Sequence, residues 1–307
     1  VEMKSRLISF ICLSLPILVN AFSLGLNTRG LIPSCTQSSR QAASISKMWA
    51  MKSYVAKDFS VNWQKPDAKG NFGKVFFGTQ GMGGFGGQVV VKCPNSDQFA
   101  LTVFNTERAV NEKLDKTYSN PRWAKFLGDV VIDGNTPLPN GVGRTGLVYK
   151  REAGAGSSLE DFLLDGKDLA GKLGVRKENG VRPDLCKKVL GELLLTCVQM
   201  HKVGVIHRDL KPENVLVVGG GVPLKLIDFG SACDVQSSLG VKDVSLDPTY
   251  APPERRITAQ QPGKYDVFSV GMTGMRCLLG AFSKDPRPGV DHRDSNCVTH
   301  MGEFAEV

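Results

Sequence analysis

Two polar segments that adjoin short apolar runs constrain this chain more than any other feature. The first is VIHRDLKPENVLVV at residues 205–218, and the second is KLIDFGSACD at residues 225–234. The apolar parts, VLVV and LKLI, have the length and β-branched content of strands. Only a glycine-rich turn separates them, so we predict a strand pair that holds the two polar segments as neighbouring loops. Charged and amide side chains concentrated on such loops are typical of sites that perform chemistry.

The order of these side chains resembles the catalytic loop and the metal-binding triplet of protein kinases. Such a resemblance implies a two-lobed α+β fold, ATP and Mg²⁺ as cofactors, and serine or threonine hydroxyls of proteins as acceptors. The residues that carry it are His207, Arg208, Asp209, Lys211 and Asn214, followed by Asp228, Phe229 and Gly230.

The kinase resemblance also implies a role for each polar side chain. Phosphoryl transfer needs alignment and charge neutralisation more than covalent chemistry. Asp209 would orient the attacking hydroxyl and accept its proton, and Lys211, which marks the Ser/Thr-directed branch, would reach the γ-phosphate. Asn214 and Asp228 would supply the oxygen ligands that Mg²⁺ prefers.

Lys92, in the predicted strand QVVVKCP, resembles the lysine that holds the α- and β-phosphates. That lysine needs a glutamate from the neighbouring helix, and Glu107 and Glu112 compete for the role. Helical periodicity places Glu107 on the apolar face with Val103 and Val110, whereas Glu112 points elsewhere. The periodicity therefore favours Glu107.

Two glycine-rich stretches compete for the phosphates. Residues 81–86, GMGGFG, match the pattern G-x-G-x-x-G at every fixed position, whereas residues 68–73, AKGNFG, lack the first glycine. A kinase phosphate loop is a hairpin between two strands that precedes the lysine, and the five residues between Gly86 and Lys92 leave no room for it. A dinucleotide site fails as well, because it needs a helix where QVVVK predicts a strand.

We therefore predict that residues 68–73 form the phosphate loop and that residues 80–87 form a hairpin tip. The predicted ATP-binding residues are Gly70, Asn71, Phe72, Gly73, Val75, Val90 and Lys92.

Two segments downstream extend the resemblance. Residues 246–254, LDPTYAPPE, resemble the end of a kinase activation segment, in which Glu254 would pair with a later arginine, Arg276 or Arg293. Residues 266–271, DVFSVG, resemble the helix whose first residue, Asp266, braces the catalytic loop. Arg208 is placed to receive a phosphorylated side chain of the activation segment. The candidates for phosphorylation are Ser231, Ser237, Ser238, Ser245 and Thr249.

The activation segment also indicates a subfamily. Asp247 stands where most Ser/Thr kinases carry threonine, and Pro252 replaces the usual alanine. The form Asp-Pro-x-Tyr-x-Pro-Pro-Glu, together with LIDFGSA, resembles the state-transition kinases of plant and algal thylakoids. That resemblance implies thylakoid substrates such as light-harvesting or photosystem subunits.

The N-terminal residues have the composition of targeting sequences. Residues 1–21 combine Lys4 and Arg6 with the apolar run LISFICLSLPILVNA, which predicts a signal peptide. Residues 22–54 are basic and contain no acidic residue, as transit peptides do. Together they resemble the two-part presequence of complex plastids, which implies the stroma or the stromal face of the thylakoid. A secreted or endomembrane protein is the alternative.

The remaining residues, 55–307, are predicted to form the kinase domain. Residues 55–152 would form a small antiparallel β lobe with one helix, and residues 153–307 a larger, mainly α lobe with a shortened C-terminal end. That short end favours the alternative of a catalytically weak, kinase-like scaffold. A kinase of small molecules is disfavoured by the segment ending in PPE, which builds a peptide shelf.

Charge and cysteine spacing exclude other function classes. The net charge is +8, but much of the excess lies in the N-terminal targeting-like segment, and no basic helix with interleaved aromatic residues occurs. We therefore expect no nucleic-acid partner. The eight cysteines form no C-x-x-C pair, so no zinc site is predicted. No second apolar run reaches membrane length, and a soluble or peripheral protein on the thylakoid is expected.

Overall fold

The computed structural model describes ten ranges, all within the second of the two compact units into which the chain divides, Ala50–Val307. The described ranges are 52–81, 86–118, 121–154, 156–165, 167–178, 182–237, 239–240, 247–254, 256–258 and 260–279.

The N-terminal part is a seven-stranded sheet. Its strands are β1 Lys52–Val55, β2 Phe59–Val61, β3 Ala68–Lys69, β4 Gly73–Gln80, β5 Gln88–Pro94, β6 Phe126–Val131 and β7 Thr145–Lys150. The strand order is β1-β6-β7-β5-β4-β2, and β3 also pairs with β4. All of its pairings are antiparallel except that of β1 with β6.

Strands β4 and β5 form the hairpin that carries Lys92. Their register sets Val75 opposite Lys92 and Phe76 opposite Val91. Because strand side chains alternate between faces, Phe76, Val89 and Val91 fill an apolar core on one face. Lys92 is thereby directed to the opposite face of the sheet.

The sheet begins earlier than the sequence indicates. Residues up to 54 were expected to lie outside the domain, yet β1 pairs in parallel with β6, Lys52 opposite Gly128 and Val55 opposite Val131. Gly128 has a φ of +138°, and a Cβ there would collide with the Lys52 carbonyl oxygen. Amino-acid composition does not predict this edge strand, because backbone hydrogen bonds to β6 hold it in the sheet.

Helix α1, Gln98–Thr117, packs between the sheet and the C-terminal part. The side chain of Asp97 accepts a hydrogen bond of 2.8 Å from the Ala100 amide and caps its first turn. Phe104 packs against the sheet, while Val110 and Leu114 join the core of the C-terminal part. The helix therefore contacts both the sheet and the core of the C-terminal part.

The C-terminal part is mainly helical and contains small sheets. Helix α4 starts with Pro183 at its first turn, and Gly204, with a φ of +80°, follows its end. The helices are α2 Leu159–Leu164, α3 Leu169–Leu173, α4 Pro183–Lys202 and α5 Lys264–Leu279, and the strands are β8 Val205–Ile206, β9 Val215–Val217, β10 Leu224–Leu226, β11 Cys233–Asp234 and β12 Leu239–Gly240.

The predicted α+β class with two unlike parts is confirmed. The predicted strand pair is β9 and β10, which are antiparallel with Leu226 opposite Val215. The targeting segments and the shortened C-terminal end involve residues outside the described ranges. Among the described residues, no helix is both long enough and apolar enough to cross a membrane.

Helix α4 offers a matched test of the core. Leu193 is 1% exposed and Leu195 is 51% exposed on the same helix. We expect Leu193→Ala to lower the free energy of unfolding by about 2–5 kcal/mol, because it leaves a cavity. Leu195→Ala should change it by less than about 0.5 kcal/mol. Urea unfolding of both variants measures this, and equal losses would contradict the packing described.

Candidate active site

A cavity of about 270 Å³ lies between the sheet and the strand pair β9–β10. Its upper wall comes from the face of the sheet that carries Lys92, and its floor comes from Leu216 and Ile227. The residues that line it include Ala68, Val75, Phe77, Val90, Lys92, Glu107, Asn111, Ala124, Tyr149, Arg151, Leu216, Ile227, Asp228 and Phe229.

Lys92 is held by two carboxylates at the rear of this cavity. Its Nζ lies 2.7 Å from Glu107 Oε2 and 2.7 Å from Asp228 Oδ1. Burial would lower the pKa of Lys92, but the two carboxylates outweigh it and hold that pKa above its ordinary value. Lys92 is therefore a fixed positive charge across the physiological range.

The structure brings Glu107, rather than Glu112, to Lys92. Glu107 is 1% exposed, whereas Glu112 forms an ion pair of 3.1 Å with Arg108 at the helix surface. Burial raises the pKa of the Glu107 carboxyl, and Lys92 opposes that rise. The helical periodicity of α1 had indicated this orientation.

Asp228 adopts a backbone conformation that few side chains accept, with a φ of +63°. Partial desolvation in the cavity favours its neutral form, but Lys92 and the Gly230 amide hold the pKa of Asp228 below its ordinary value. A Cβ at Gly230 would lie 2.8 Å from Val103 Cγ1 of α1, so a side chain there would have to displace Val103. The carboxylate is thus ionised beneath the helix.

Phe229 anchors this loop in the core. Its ring is 2% exposed and lies edge-on to the His207 ring, with centroids 5.0 Å apart. The His207 ring also lies 3.1 Å from the Ile227 carbonyl oxygen through Nε2. These contacts join the loop after β10 to the loop after β8.

Asp209 lies in the loop after β8 with both carboxylate oxygens engaged. Oδ1 is 3.2 Å from the Lys211 amine, and Oδ2 accepts a hydrogen bond of 2.9 Å from Asn214 Nδ2. A short 3₁₀ turn, Pro212–Asn214, brings Asn214 back to Asp209. Burial raises the pKa of Asp209, and Lys211 opposes that rise. Lys211 also lies 3.8 Å from Asp247.

Asp266, at the start of α5, supports the same loop from below. It is fully buried and accepts hydrogen bonds of 2.9 Å from the backbone amides of His207 and Arg208. His201 Nε2 lies 2.9 Å from the same carboxylate. Burial would raise the pKa of Asp266, but these donors lower it. They also stabilise Arg208 at its unusual φ of +67°.

The first glycine stretch lies next to the cavity. The Gly70 amide donates to the Gly73 carbonyl at 2.9 Å and closes the turn between β3 and β4. A Cβ at Gly73 would collide with the Cys93 carbonyl oxygen of β5. Beside this turn, the Asn71 carbonyl accepts from Asn95 at 3.1 Å, and the Phe72 and Phe99 rings lie 5.5 Å apart.

The second glycine stretch follows the far end of β4. The Gln80 amide donates to the Gly87 carbonyl there at 2.9 Å, and residues 82–85 of the predicted hairpin tip, residues 80–87, lie outside the described residues. Gly81 is six positions from Val75, or about 20 Å along the strand. Gly81, the first residue of the complete motif, is therefore remote from Lys92.

The remaining predicted contacts have mixed outcomes. Glu254 is exposed, and Arg276 instead forms a buried ion pair of 2.8 Å with Glu160 of α2, because α5 packs that arginine inward. Arg293 lies outside the described residues.

Arg208 Nε donates to the Ser231 carbonyl at 2.6 Å. Of the predicted phosphorylation candidates, Ser231, Ser237 and Thr249 are described, whereas Ser238 and Ser245 are not.

Several residues of the site were not predicted from the sequence. Leu216 and Ile227 form the apolar floor, and Tyr149 and Asn111 surround Glu107. Tyr149 faces the cavity because β7 pairs with β5 in a register that sets it opposite Val90. That register depends on pairing between distant segments, which sequence periodicity does not encode.

Known proteins resemble this chain in sequence. The profile of the protein kinase domain matches residues 159–298. The serine/threonine-protein kinase STN7, chloroplastic, of Arabidopsis thaliana is 26% identical over 136 residues, which cover 36% of this chain and 24% of that protein. STN8, chloroplastic, from the same plant is 31% identical over 150 residues, which cover 45% and 29% of the two chains. The chain thus spans about a quarter of each relative.

A solved structure supports the fold. The crystal structure of a Stt7 homolog from Micromonas algae soaked with ATP superposes with a TM-score of 0.60 and 23% identity, covering 82% of this chain and 75% of that one. The chain therefore has a protein-kinase-like fold, and its similarity to STN7 and STN8 confirms the predicted resemblance to the state-transition kinases.

Proposed function

We propose that this protein is an ATP-dependent serine/threonine kinase that transfers the γ-phosphate of Mg-ATP to protein hydroxyls. The observation that carries the proposal is the position of Lys92, 2.7 Å from both Glu107 and Asp228 at the rear of an apolar cavity. A cation fixed in this way suits phosphate oxygens, while the apolar walls suit an adenine ring.

Asn214 and Asp228 are the residues that would hold Mg²⁺. The Asn214 amide nitrogen donates to Asp209, which leaves the amide oxygen as the group available to a metal. Asp228 is ionised and keeps 45% of its side chain exposed, so it offers a hard oxygen ligand. This donor set fits Mg²⁺. When bound, the ion would neutralise phosphate charge.

Asp209 would orient the acceptor hydroxyl and receive its proton. The raised pKa of this carboxylate makes it a better proton acceptor than an exposed aspartate. Its contacts with Lys211 and Asn214 fix both oxygens before substrate arrives. Lys211 would stabilise charge on the transferred phosphoryl group. These contacts favour an active kinase over a kinase-like scaffold.

We further propose that the protein works in a plastid, on thylakoid proteins such as light-harvesting or photosystem subunits. Both relatives, STN7 and STN8, are named as chloroplastic kinases. The two-part composition of residues 1–21 and 22–54 supports the same compartment. In this proposal the mature kinase begins close to strand β1.

Removal of the central charges tests the enzymatic proposal. Lys92→Met and Asp228→Asn should each lower phosphate transfer from Mg-ATP by about 100-fold or more, because each removes a preorganised charge from the reacting phosphates. Lys187→Met, on the exposed face of α4, is the matched control and should retain activity. Labelling of a generic protein and of thylakoid membranes measures this. Equal labelling by all variants would refute kinase activity at this site.

A pair of glycine substitutions tests which stretch binds phosphates. A Cβ at Gly70 meets no atom closer than 3.8 Å, and one at Gly87 meets none within 4 Å, so alanine fits both positions. We expect Gly70→Ala to raise the KM for ATP about three- to tenfold, because the backbone must approach the phosphates closely. Gly87→Ala should leave KM unchanged. The reverse pattern would place the phosphates beside Gly87, the residue that follows the second stretch.

Localisation has a separate test. The full chain carrying a C-terminal fluorescent protein should enter the plastid of an alga with a secondary red-type plastid. Phe22→Ala should divert it to the endomembrane system. The resemblance to a two-part presequence rests on Phe22, which directly follows the predicted signal peptide, residues 1–21. Secretion of the unaltered fusion would favour the alternative compartment.

A further inference from the structure

The Glu107 carboxylate occupies an unfavourable environment for a charge. It is 1% exposed, and the groups that face it are Lys92 from β5, Asp228 from the loop after β10, and Tyr149 from β7. Burial and the negative Asp228 both favour the protonated form of Glu107. Lys92 must also divide its interaction between the two carboxylates. A further donor is therefore needed to keep Glu107 ionised.

The Tyr149 hydroxyl is that donor. Its oxygen lies 2.9 Å from Glu107 Oε1. Asn111, one helical turn after Glu107, directs Nδ2 to the Glu107 backbone carbonyl at 2.8 Å and to the Tyr149 oxygen at 3.1 Å. An amide nitrogen only donates, so Tyr149 accepts from Asn111 and its single proton is left for Glu107. Burial and Glu107 raise the pKa of Tyr149, so the hydroxyl stays protonated.

The Tyr149 ring is held rigidly. It is 9% exposed and packs against Phe126 with centroids 5.5 Å apart. Because β7 is the neighbour of β5, the hydroxyl joins α1 to the sheet through a second strand, beside the link made by Lys92. Glu107 is thereby held from two directions before nucleotide binds.

We propose that Tyr149 is a positioning residue for phosphate transfer: its hydroxyl, oriented by Asn111, keeps Glu107 charged and directed at Lys92. This inference rests on the proposed kinase function. It assigns to the aromatic side chain of β7 a polar role in addition to closing the rear of the cavity.

Loss of the Tyr149 hydroxyl should shift the pH dependence of activity in one direction. The hydrogen bond from Tyr149 and the charge of Lys92 lower the pKa of Glu107, against burial and Asp228, which raise it. Without the hydroxyl, the pKa of Glu107 rises further. Glu107 then becomes protonated at a higher pH, and the acid limb of activity moves upward.

The test compares two tyrosine variants of the full chain. Tyr149→Phe removes the donor and keeps the ring. Tyr118→Phe is the control, since the Tyr118 hydroxyl donates to the Gln199 carbonyl at 3.0 Å, and neither residue lines the cavity. Phosphate transfer is followed from about pH 5 to about pH 8. We expect Tyr149→Phe to lower kcat/KM for ATP about tenfold and to move the acid limb up by about one pH unit.

Asn111→Ala should move the limb in the same direction by a smaller amount, since it removes only the orienting bond. Tyr118→Phe should follow the wild type at every pH. An active wild type with identical profiles for both tyrosine variants would overturn the inference and leave the kinase function standing.

An inactive wild type would instead refute the proposed function. The affinity for a fluorescent ATP analogue, measured over the same pH range, then decides the inference by itself. Weaker binding of Tyr149→Phe at acid pH, relative to Tyr118→Phe, supports it. Equal binding at every pH overturns it.

Discussion

The ion pairs of Lys92 are the contacts on which the site depends. One side chain of the sheet meets Glu107 of α1 and Asp228 of the loop after β10, each at 2.7 Å. These three segments are distant in sequence, so their charges meet only if the sheet, the helix and the strand pair are all in place. Breaking one partner would leave another buried charge uncompensated, which is costly. The triad therefore couples correct folding to the geometry needed for phosphate.

The loops beneath this triad are held in uncommon conformations by the core. Arg208 and Asp228 both have positive φ values although neither is glycine. Such backbone persists only where surrounding contacts determine it. Asp266 supplies them for Arg208, and the Gly230 amide bonds to the Asp228 carboxylate. Contacts with the core therefore hold both loops of the candidate site in place.

The charged residues of the candidate site could be predicted from the sequence, because their types follow one another at short, fixed spacings. The segments that resemble the catalytic loop and the aspartate triplet are short, and the spacing to Lys92 alone predicts that the stretch with fewer glycines binds the phosphates. Tyr149, Leu216 and strand β1 could not be predicted in this way. Each owes its place to pairing between distant segments, which a single sequence specifies only through the complete fold.

Transfer of phosphate by a protein altered only at Asp209 tests the account most directly. Asp209→Asn should bind ATP as the wild type does, because Asp209 is not among the residues that line the nucleotide cavity. In a single-turnover experiment with labelled ATP and a protein acceptor, the rate of phosphate transfer by this variant should be lower than that of the wild type by about 100-fold or more. Transfer at the wild-type rate by Asp209→Asn, or no transfer by the wild type, would contradict the account.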